Sequence, residues 1–363
     1  MPFRQSRRSF LGGAAVGLAP ATAFASVGER RKLGYAIVGL GGYADVILPR
    51  FAECRSSRVT ALVSSSQEKA RRYAARYGVP ESGLYTYETF DTIRDNPDVD
   101  IVYVILPNGL HHEYTLRAAA AGKHVLCEKP MANTAAEAED MIAACRRAGR
   151  KLMIGYRSRF EAANREAIRI CRSGEIGRPC IITAEHGFNI SPNQWRLDKT
   201  LAGGGSLMDI GIYSLQAARY LTGEEPVEVS AIEATDRSDP RFVEVEDTIN
   251  FQLRFPSGAV ANCVSTYGSH HNRYRVVGTD GWIEAEPATA YSGQQLRLNR
   301  DWRTQDHAAP ETSLNQFSGQ LDHLSHCVMT GQEPIVPGEE GLRDMRLIEA
   351  IYQAARERRS ISV

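Results

Sequence analysis

No stretch of this chain approaches the ~20 consecutive apolar residues that a bilayer-spanning helix needs, which excludes a helical membrane anchor. Charge of one sign is also missing: 43 Lys and Arg balance 43 Asp and Glu, so there is no basic field for nucleic acid. The seven cysteines (54, 127, 145, 171, 180, 263 and 327) contain no Cys-x-x-Cys pair and are odd in number. Scattered in this way they suit neither a structural zinc nor a disulfide framework, and buried thiols are expected. Internal repeats and low-complexity tracts are absent as well. What remains is a mixed-charge chain of 363 residues, long enough for two domains of ordinary size.

The first 25 residues have no acid. Arg7 and Arg8 stand in Ser6-Arg7-Arg8-Ser9-Phe10-Leu11, ahead of a mild apolar run over 11–19 and a small-residue site, Ala23-Phe24-Ala25. That pattern reads as a twin-arginine export signal, residues 1–25, with a periplasmic destination. Cleavage after Ala25 would remove three basic residues (4, 7 and 8), leaving 40 against the 43 acids, a net charge of −3. The route carries proteins already folded, often with a cofactor inside. Outside the cytoplasm there is no pool of nicotinamide cofactor, so an exported dinucleotide enzyme must retain its cofactor and regenerate it in place. Folding first in the reducing cytosol also suits the unpaired thiols.

From 32 to 156, short β-branched or Leu-rich runs (33–38, 59–63, 101–105, 124–126, 152–154) alternate with Ala-, Arg- and Glu-rich helical patterns (69–77, 114–121, 135–148). Strand–helix repetition implies an α/β domain, a doubly wound parallel Rossmann sheet. After 156 the character changes. Helices are expected over 160–171 and 206–221, the latter opened by Gly203-Gly204-Gly205. A strand is expected between them at 180–185, and strands with period-two alternation follow the second helix at 227–234, 248–255, 260–267 and 273–277. Residues 157–363 are thus expected to form an α+β domain on a large, open, mostly antiparallel sheet. Its last helices, 316–329 and 339–358, would pack back on the first domain.

The run Gly39-Leu40-Gly41-Gly42-Tyr43-Ala44 follows a predicted strand and opens a helix, the context a dinucleotide fingerprint requires. One glycine permits the tight turn, and the next lets the backbone approach the pyrophosphate at the helix N-terminus. At the end of the second strand, an acidic residue would bind the ribose hydroxyls of NAD. Here the chain has Ser64-Ser65-Ser66, with Lys69, Arg71 and Arg72 beyond. Hydroxyls and cations suit the 2′-phosphate of NADP, which a carboxylate would repel. A solvated basic helix face would explain the cations alone; the missing carboxylate carries more of the inference.

Two constellations suggest chemistry. Cys127-Glu128-Lys129-Pro130 lies just past a strand of the first domain, where open α/β sheets place ligands. The plainer alternative is a surface Lys–Glu pair before a turn. Asp209-Ile210-Gly211-Ile212-Tyr213 puts Asp209 and Tyr213 one helical turn apart on one face, which a buried Tyr–Asp pair would also explain.

These segments resemble the glucose–fructose oxidoreductase / inositol dehydrogenase (Gfo/Idh/MocA) family across essentially the whole mature length. Further matches are Ile105-Leu106-Pro107-Asn108 with His111, Gly122-Lys123-His124, Lys151-Leu152-Met153-Ile154-Gly155-Tyr156-Arg157, Gln194-Trp195-Arg196-Leu197, the run from Ala202 to Tyr213, and Phe242-Val243-Glu244-Val245-Glu246-Asp247. Within the family the chain is most similar to its exported glucose–fructose and aldose–aldose oxidoreductase branch. The resemblance implies Lys129, Asp209 and Tyr213 around the reacting carbon, with Tyr156 also at the substrate. It implies cofactor contacts from Leu106, Pro107, Asn108, His111, Glu128, Lys129, Arg157, Trp195 and Arg196. The family often has His where this chain has Tyr213. The exported branch carries a long arm before its first strand; here only residues 26–32 follow the cleavage site. A homodimer through the face of the second sheet is therefore expected rather than the arm-embraced tetramer.

The implied reaction is a hydride shuttle on tightly bound NADP(H). An aldose such as glucose is oxidised to its lactone, and a second sugar, fructose or another aldose, is reduced to an alditol with ping-pong kinetics. Tyrosine and lysine ionise near ~10 and ~10.4, so each is a poor base alone. A lysine cation would assist the tyrosine, while burial would lower the lysine. The sequence leaves open which of Tyr213 and Lys129 moves the proton. The alternatives are an NADP-dependent aldose dehydrogenase that releases NADPH, and a nucleotide-loaded sugar-binding protein without turnover.

Overall fold

The runs rich in Val, Ile and Ala become strands buried on both faces. β1 (Leu33–Val38), β2 (Ser57–Val63), β3 (Leu84–Tyr85), β4 (Ile101–Val104), β5 (His124–Cys127) and β6 (Leu152–Ile154) pair in parallel in the order β3-β2-β1-β4-β5-β6. All four residues of β4 are fully buried, as expected of a central parallel strand covered on both sides. The crossovers carry α1 (Gly42–Ile47), α2 (Gln67–Tyr77), α3 (His111–Ala120) and α4 (Ala135–Arg147). Helix α1 is short because Pro49 converts its continuation to a 3-10 turn, Leu48–Ala52. This computed structural model describes residues 31–363; Arg7, Arg8 and the expected cleavage site lie outside the described residues.

Beyond β6 come α5 (Ala162–Ser173), β7 (Pro179–Gly187), α6 (Lys199–Ala202), a π-helical turn at Leu207–Gly211 and α7 (Ile212–Thr222). They are followed by β8 (Glu228–Ala234), β9 (Thr248–Arg254), β10 (Val260–Thr266), β11 (His271–Gly278), β12 (Gly281–Ala285), β13 (Leu296–Arg300) and β14 (Arg303–His307). With β15 (Ile361–Ser362) at the C-terminus, the second sheet has the order β14-β13-β12-β11-β7-β10-β9-β8-β15. Every pairing in it is antiparallel except β7 with β10. Strand β9 alternates strictly between buried and exposed residues, so one face packs on helices and the other faces outward.

The sequence reading missed β12, β13 and β14. Strand β14 is Arg-Thr-Gln-Asp-His with four exposed residues, and it carries no apolar alternation to detect. The expected helix over 206–221 is instead a π turn followed by α7.

The two last helices, α8 (Gln316–Thr330) and α9 (Gly338–Glu357), return to the first sheet. Asp322 accepts from the backbone N–H groups of Arg55 (2.7 Å) and Ser56 (3.0 Å) and from Ser57 Oγ (2.8 Å), while Tyr35 Oη donates to the Leu321 carbonyl at 2.7 Å. Glu349 of α9 accepts from the Ala135 N–H at 2.8 Å. Residues Lys32–Val363 consequently form one compact unit with a continuous core through both sheets. All seven cysteines are free thiols, six of them buried and Cys180 half-buried.

Candidate active site

The turn after β1 needs a glycine: Gly39 has φ +102°, and a Cβ there would press against the Leu106 side chain at 2.9 Å. Gly41 and Gly42 face open space, with no atom within 4 Å of where a Cβ would stand. Here a pyrophosphate can approach the start of α1, the close contact a dinucleotide requires. The cleft over this turn encloses about 600 Å³. Gly39, Leu40, Gly41, Gly42 and Tyr43 form one side, Ser64, Ser65, Ser66 and Lys69 its far end, and Leu106, Pro107, Trp195 and Arg196 the rest. Ser66 caps α2 by accepting from the Lys69 N–H at 3.2 Å, and Ser64 Oγ accepts from the Ser66 N–H at 3.2 Å. The far end thus offers hydroxyls, a helix N-terminus and an ammonium, and none of its lining residues is an acid. The residues fit NADP.

A second cavity of about 280 Å³ continues from it, sharing Tyr43, Leu106, Trp195 and Arg196 with the cleft. Glu128, Lys129, Arg157, Asp209 and Tyr213 line this chamber. Glu246 prepares its floor: its carboxylate accepts from the N–H groups of Gly205 (2.7 Å) and Leu207 (2.9 Å), anchoring the π turn. A side chain at Gly205 would collide with the Glu246 backbone carbonyl. The widened turn, a geometry frequent at functional sites, keeps Asp209 and Tyr213 both on the chamber.

Lys129 and Glu128 diverge rather than pair. Glu128 turns inward, where Tyr103 Oη donates to it at 2.5 Å, and burial pushes its carboxyl above the usual range. Lys129 Nζ reaches across to donate to the Asp209 carbonyl (2.5 Å) and to Asp209 Oδ1 (3.3 Å). Asp209 Oδ2 accepts from Arg196 Nε at 2.8 Å and from Tyr267 Oη at 3.1 Å. Burial raises the Asp209 carboxyl, but Lys129 and Arg196 outweigh it and hold the group below its ordinary value. The same balance corrects the expectation for Lys129. Burial lowers it, yet the facing Tyr213 and Asp209 prevail, so the ammonium is held above the ordinary lysine value. Its charge sits 5.0 Å from the Tyr213 ring centroid, with the Arg157 guanidinium at 5.1 Å.

Three of the expected site residues line neither the cleft nor the chamber. Ala44 is fully buried on the inner face of α1, within the hydrophobic core. His111 is also fully buried; its ring nitrogens lie 2.8 Å from the carbonyls of Pro130 and Leu106, tying two cleft loops together from behind. Tyr156, 1% exposed, faces Asp344, Tyr220 and Arg219 in the core and does not line the chamber. Asn108 lines the chamber rather than the cleft and donates to the Ala202 carbonyl at 2.9 Å. Sequence reasoning missed Tyr267, Phe188 and Tyr291. Tyr267 closes a predicted strand, and Tyr291 lies in a polar loop without periodicity, so neither carried a site signal.

The family model described as "Oxidoreductase family, NAD-binding Rossmann fold" matches residues 33–156, and "GFO/IDH/MocA C-terminal domain" matches 164–284. Among solved structures, an aldose-aldose oxidoreductase from Caulobacter crescentus, complexed with glycerol, is 64% identical with a TM-score of 0.91, covering 92% of this chain and 100% of that one. D-xylose 1-dehydrogenase (NADP(+)) from Haloarcula marismortui is 34% identical over 330 residues, 88% of this chain and 90% of its own. A 3-ketoreductase from Actinomadura kijaniata, solved with NADP and TDP-benzene, is 26% identical with a TM-score of 0.79, over 89% and 98% of the two chains.

Proposed function

The chain belongs to the Gfo/Idh/MocA oxidoreductase family, and from that premise we infer that it is an NADP-dependent sugar oxidoreductase whose cofactor is recycled without leaving. One aldose is oxidised to its lactone and a second sugar is reduced to an alditol in the same chamber. The observation that carries this reading is the full-length similarity to an aldose-aldose oxidoreductase, together with a single chamber opening off the cofactor cleft.

Bound NADP supplies the hydride acceptor and donor, held by the Gly39–Tyr43 turn, Ser64, Ser65, Lys69, Leu106, Pro107, Trp195 and Arg196. Among the described residues none hydrogen-bonds the Tyr213 hydroxyl, which leaves it for the substrate. The Tyr213 oxygen, as phenolate, takes the anomeric hydroxyl proton during oxidation, and the resulting phenol returns it to the carbonyl oxygen of the second sugar. Lys129, kept cationic by Asp209, stays charged throughout and orients the reacting oxygen. Asp209, fixed by Arg196 and Tyr267, holds Lys129 and binds a sugar hydroxyl.

The twin arginines at 7 and 8 support export of the folded, loaded protein to the periplasm, where retention is required. The outward face of the second sheet exposes Ile181 (50%) and Ile232 (71%), which supports pairing of two copies there; a monomer in sedimentation analysis would overturn that pairing. The relationship to an NADP-dependent xylose dehydrogenase favours a second reading, release of NADPH in each cycle. One experiment separates the two. Glucose alone should reduce the bound cofactor once and stop, and fructose or a second aldose should reoxidise it. Initial rates should then be ping-pong and insensitive to free NADP⁺. A rate rising in proportion to added NADP⁺, with NADPH accumulating in solution, would establish the dehydrogenase.

A further inference from the structure

Residues 286–295 link β12 to β13, and within them Tyr291 lines both the cofactor cleft and the reaction chamber. A dinucleotide reaching from the Gly39 turn to Tyr213 must pass this ring. The loop is bolted from behind. Arg157 donates to the carbonyls of Thr289 (2.7 Å) and Ala290 (3.4 Å), and Gln316 Nε2 donates to those of Ala290 and Tyr291 (3.0 Å each). Asn272 Oδ1 accepts from the N–H groups of Ala288 (3.1 Å) and Thr289 (2.7 Å).

Arg157 is unusual. It is 6% exposed, and among the described residues it forms no ion pair. A buried cation is retained at an energetic cost when no carboxylate neutralises it. Its remaining donor bond goes to Gln316 Oε1 at 2.6 Å, and its guanidinium stacks on Tyr291 at 4.8 Å. Tyr291 also meets Phe317 edge-on at 5.1 Å, while half of its surface stays open to the junction. Swinging the loop away would strip this buried charge of two of its three acceptors, the Thr289 and Ala290 carbonyls, so the loop behaves as a fixed strap.

We propose that Tyr291 is a retention clamp: its ring, held on the strap by Arg157 and Gln316, closes the junction over bound NADP(H) and makes cofactor release slow. The proposal deepens the reading that the cofactor is recycled in place. The test loads wild type, Tyr291→Phe, Tyr291→Ala and Gln316→Leu with NADPH and follows its fluorescence on mixing with excess NADP⁺. Tyr291→Phe should release at the wild-type rate, since the ring does the closing. Tyr291→Ala should release roughly tenfold faster or more, because loss of contacts acts mainly on dissociation. Gln316→Leu, which loosens the strap and leaves the ring, should move in the same direction and keeps the test decisive if the alanine variant fails to fold. Release at the wild-type rate from Tyr291→Ala, or from Gln316→Leu where the former cannot be made, would overturn the clamp. If wild type itself loses cofactor freely, recycling in place is wrong. The ratio of variant to wild-type release then judges the clamp separately: near one refutes it, tenfold upholds it.

Discussion

Replacing Tyr267 with Phe removes one hydroxyl from a buried site and little else. Tyr267 is fully buried and packs edge-on against Phe188 at 5.2 Å, a contact the Phe ring keeps. Its hydroxyl donates to Asp209 Oδ2 at 3.1 Å, and burial pushes the phenol well above its ordinary value, so it remains a donor at every working pH. A hydrogen bond to a charged group contributes ~1.5–3 kcal/mol. Asp209 retains Arg196 at 2.8 Å and Lys129 at 3.3 Å, so we expect the lower end, about 1.5–2 kcal/mol. Expressed in kcat/KM for sugar oxidation, that is a fall of about 13- to 30-fold.

The pH dependence follows with a definite sign. The Asp209 carboxyl is depressed in the folded protein, so its stabilisation is fully present above the unfolded value near ~3.9. It is lost as pH falls through the folded value. Without the Tyr267 hydroxyl the depression shrinks, and the acid limb of both activity and stability moves to higher pH. Rapid mixing with glucose, followed at the reduced-nicotinamide band across the acid range, measures rate and limb together. A rate within about twofold of wild type and an unmoved limb would mean that Arg196 and Lys129 alone set the carboxylate, refuting a role for Tyr267.

Three further outcomes are expected. Tyr213→Phe and Lys129→Ala should each slow reduction of bound cofactor by ~10²–10⁴ while the cofactor stays bound; near-normal rates in both would move the proton path elsewhere. Ser64→Asp should weaken NADP retention, because a carboxylate would face the 2′-phosphate, and wild-type protein purified with NAD bound would sink the assignment. Lys at both 7 and 8 should leave the protein in the cytoplasm with its signal attached, and undiminished periplasmic protein would mean the signal is misread.

Local rules made much of this molecule legible from residues alone. Buried parallel strands read as unbroken apolar runs, so β1, β4 and β6 stood out within a residue of their ends. Gly39 was identifiable because only glycine tolerates its φ, and the Ser64–Ser66 end because a missing carboxylate is visible without a structure. Lys129, Asp209 and Tyr213 were legible as a set through family resemblance, and as residues of one chamber only after folding. The tertiary structure alone decided which neighbours surround each of them. Tyr156 and His111 sit in matching motifs yet point into the core, because neighbouring positions in a chain can face opposite ways. The state of Lys129 depends on Asp209 and Tyr213, eighty or more residues away, whose charges overcome its burial. Phe188 and Tyr291 line the chamber from a strand end and a polar loop, and Tyr267 supports it from behind through Asp209. Local pattern specifies backbone and burial; the chemistry of a site depends on distances between residues far apart in the chain, which no local pattern encodes.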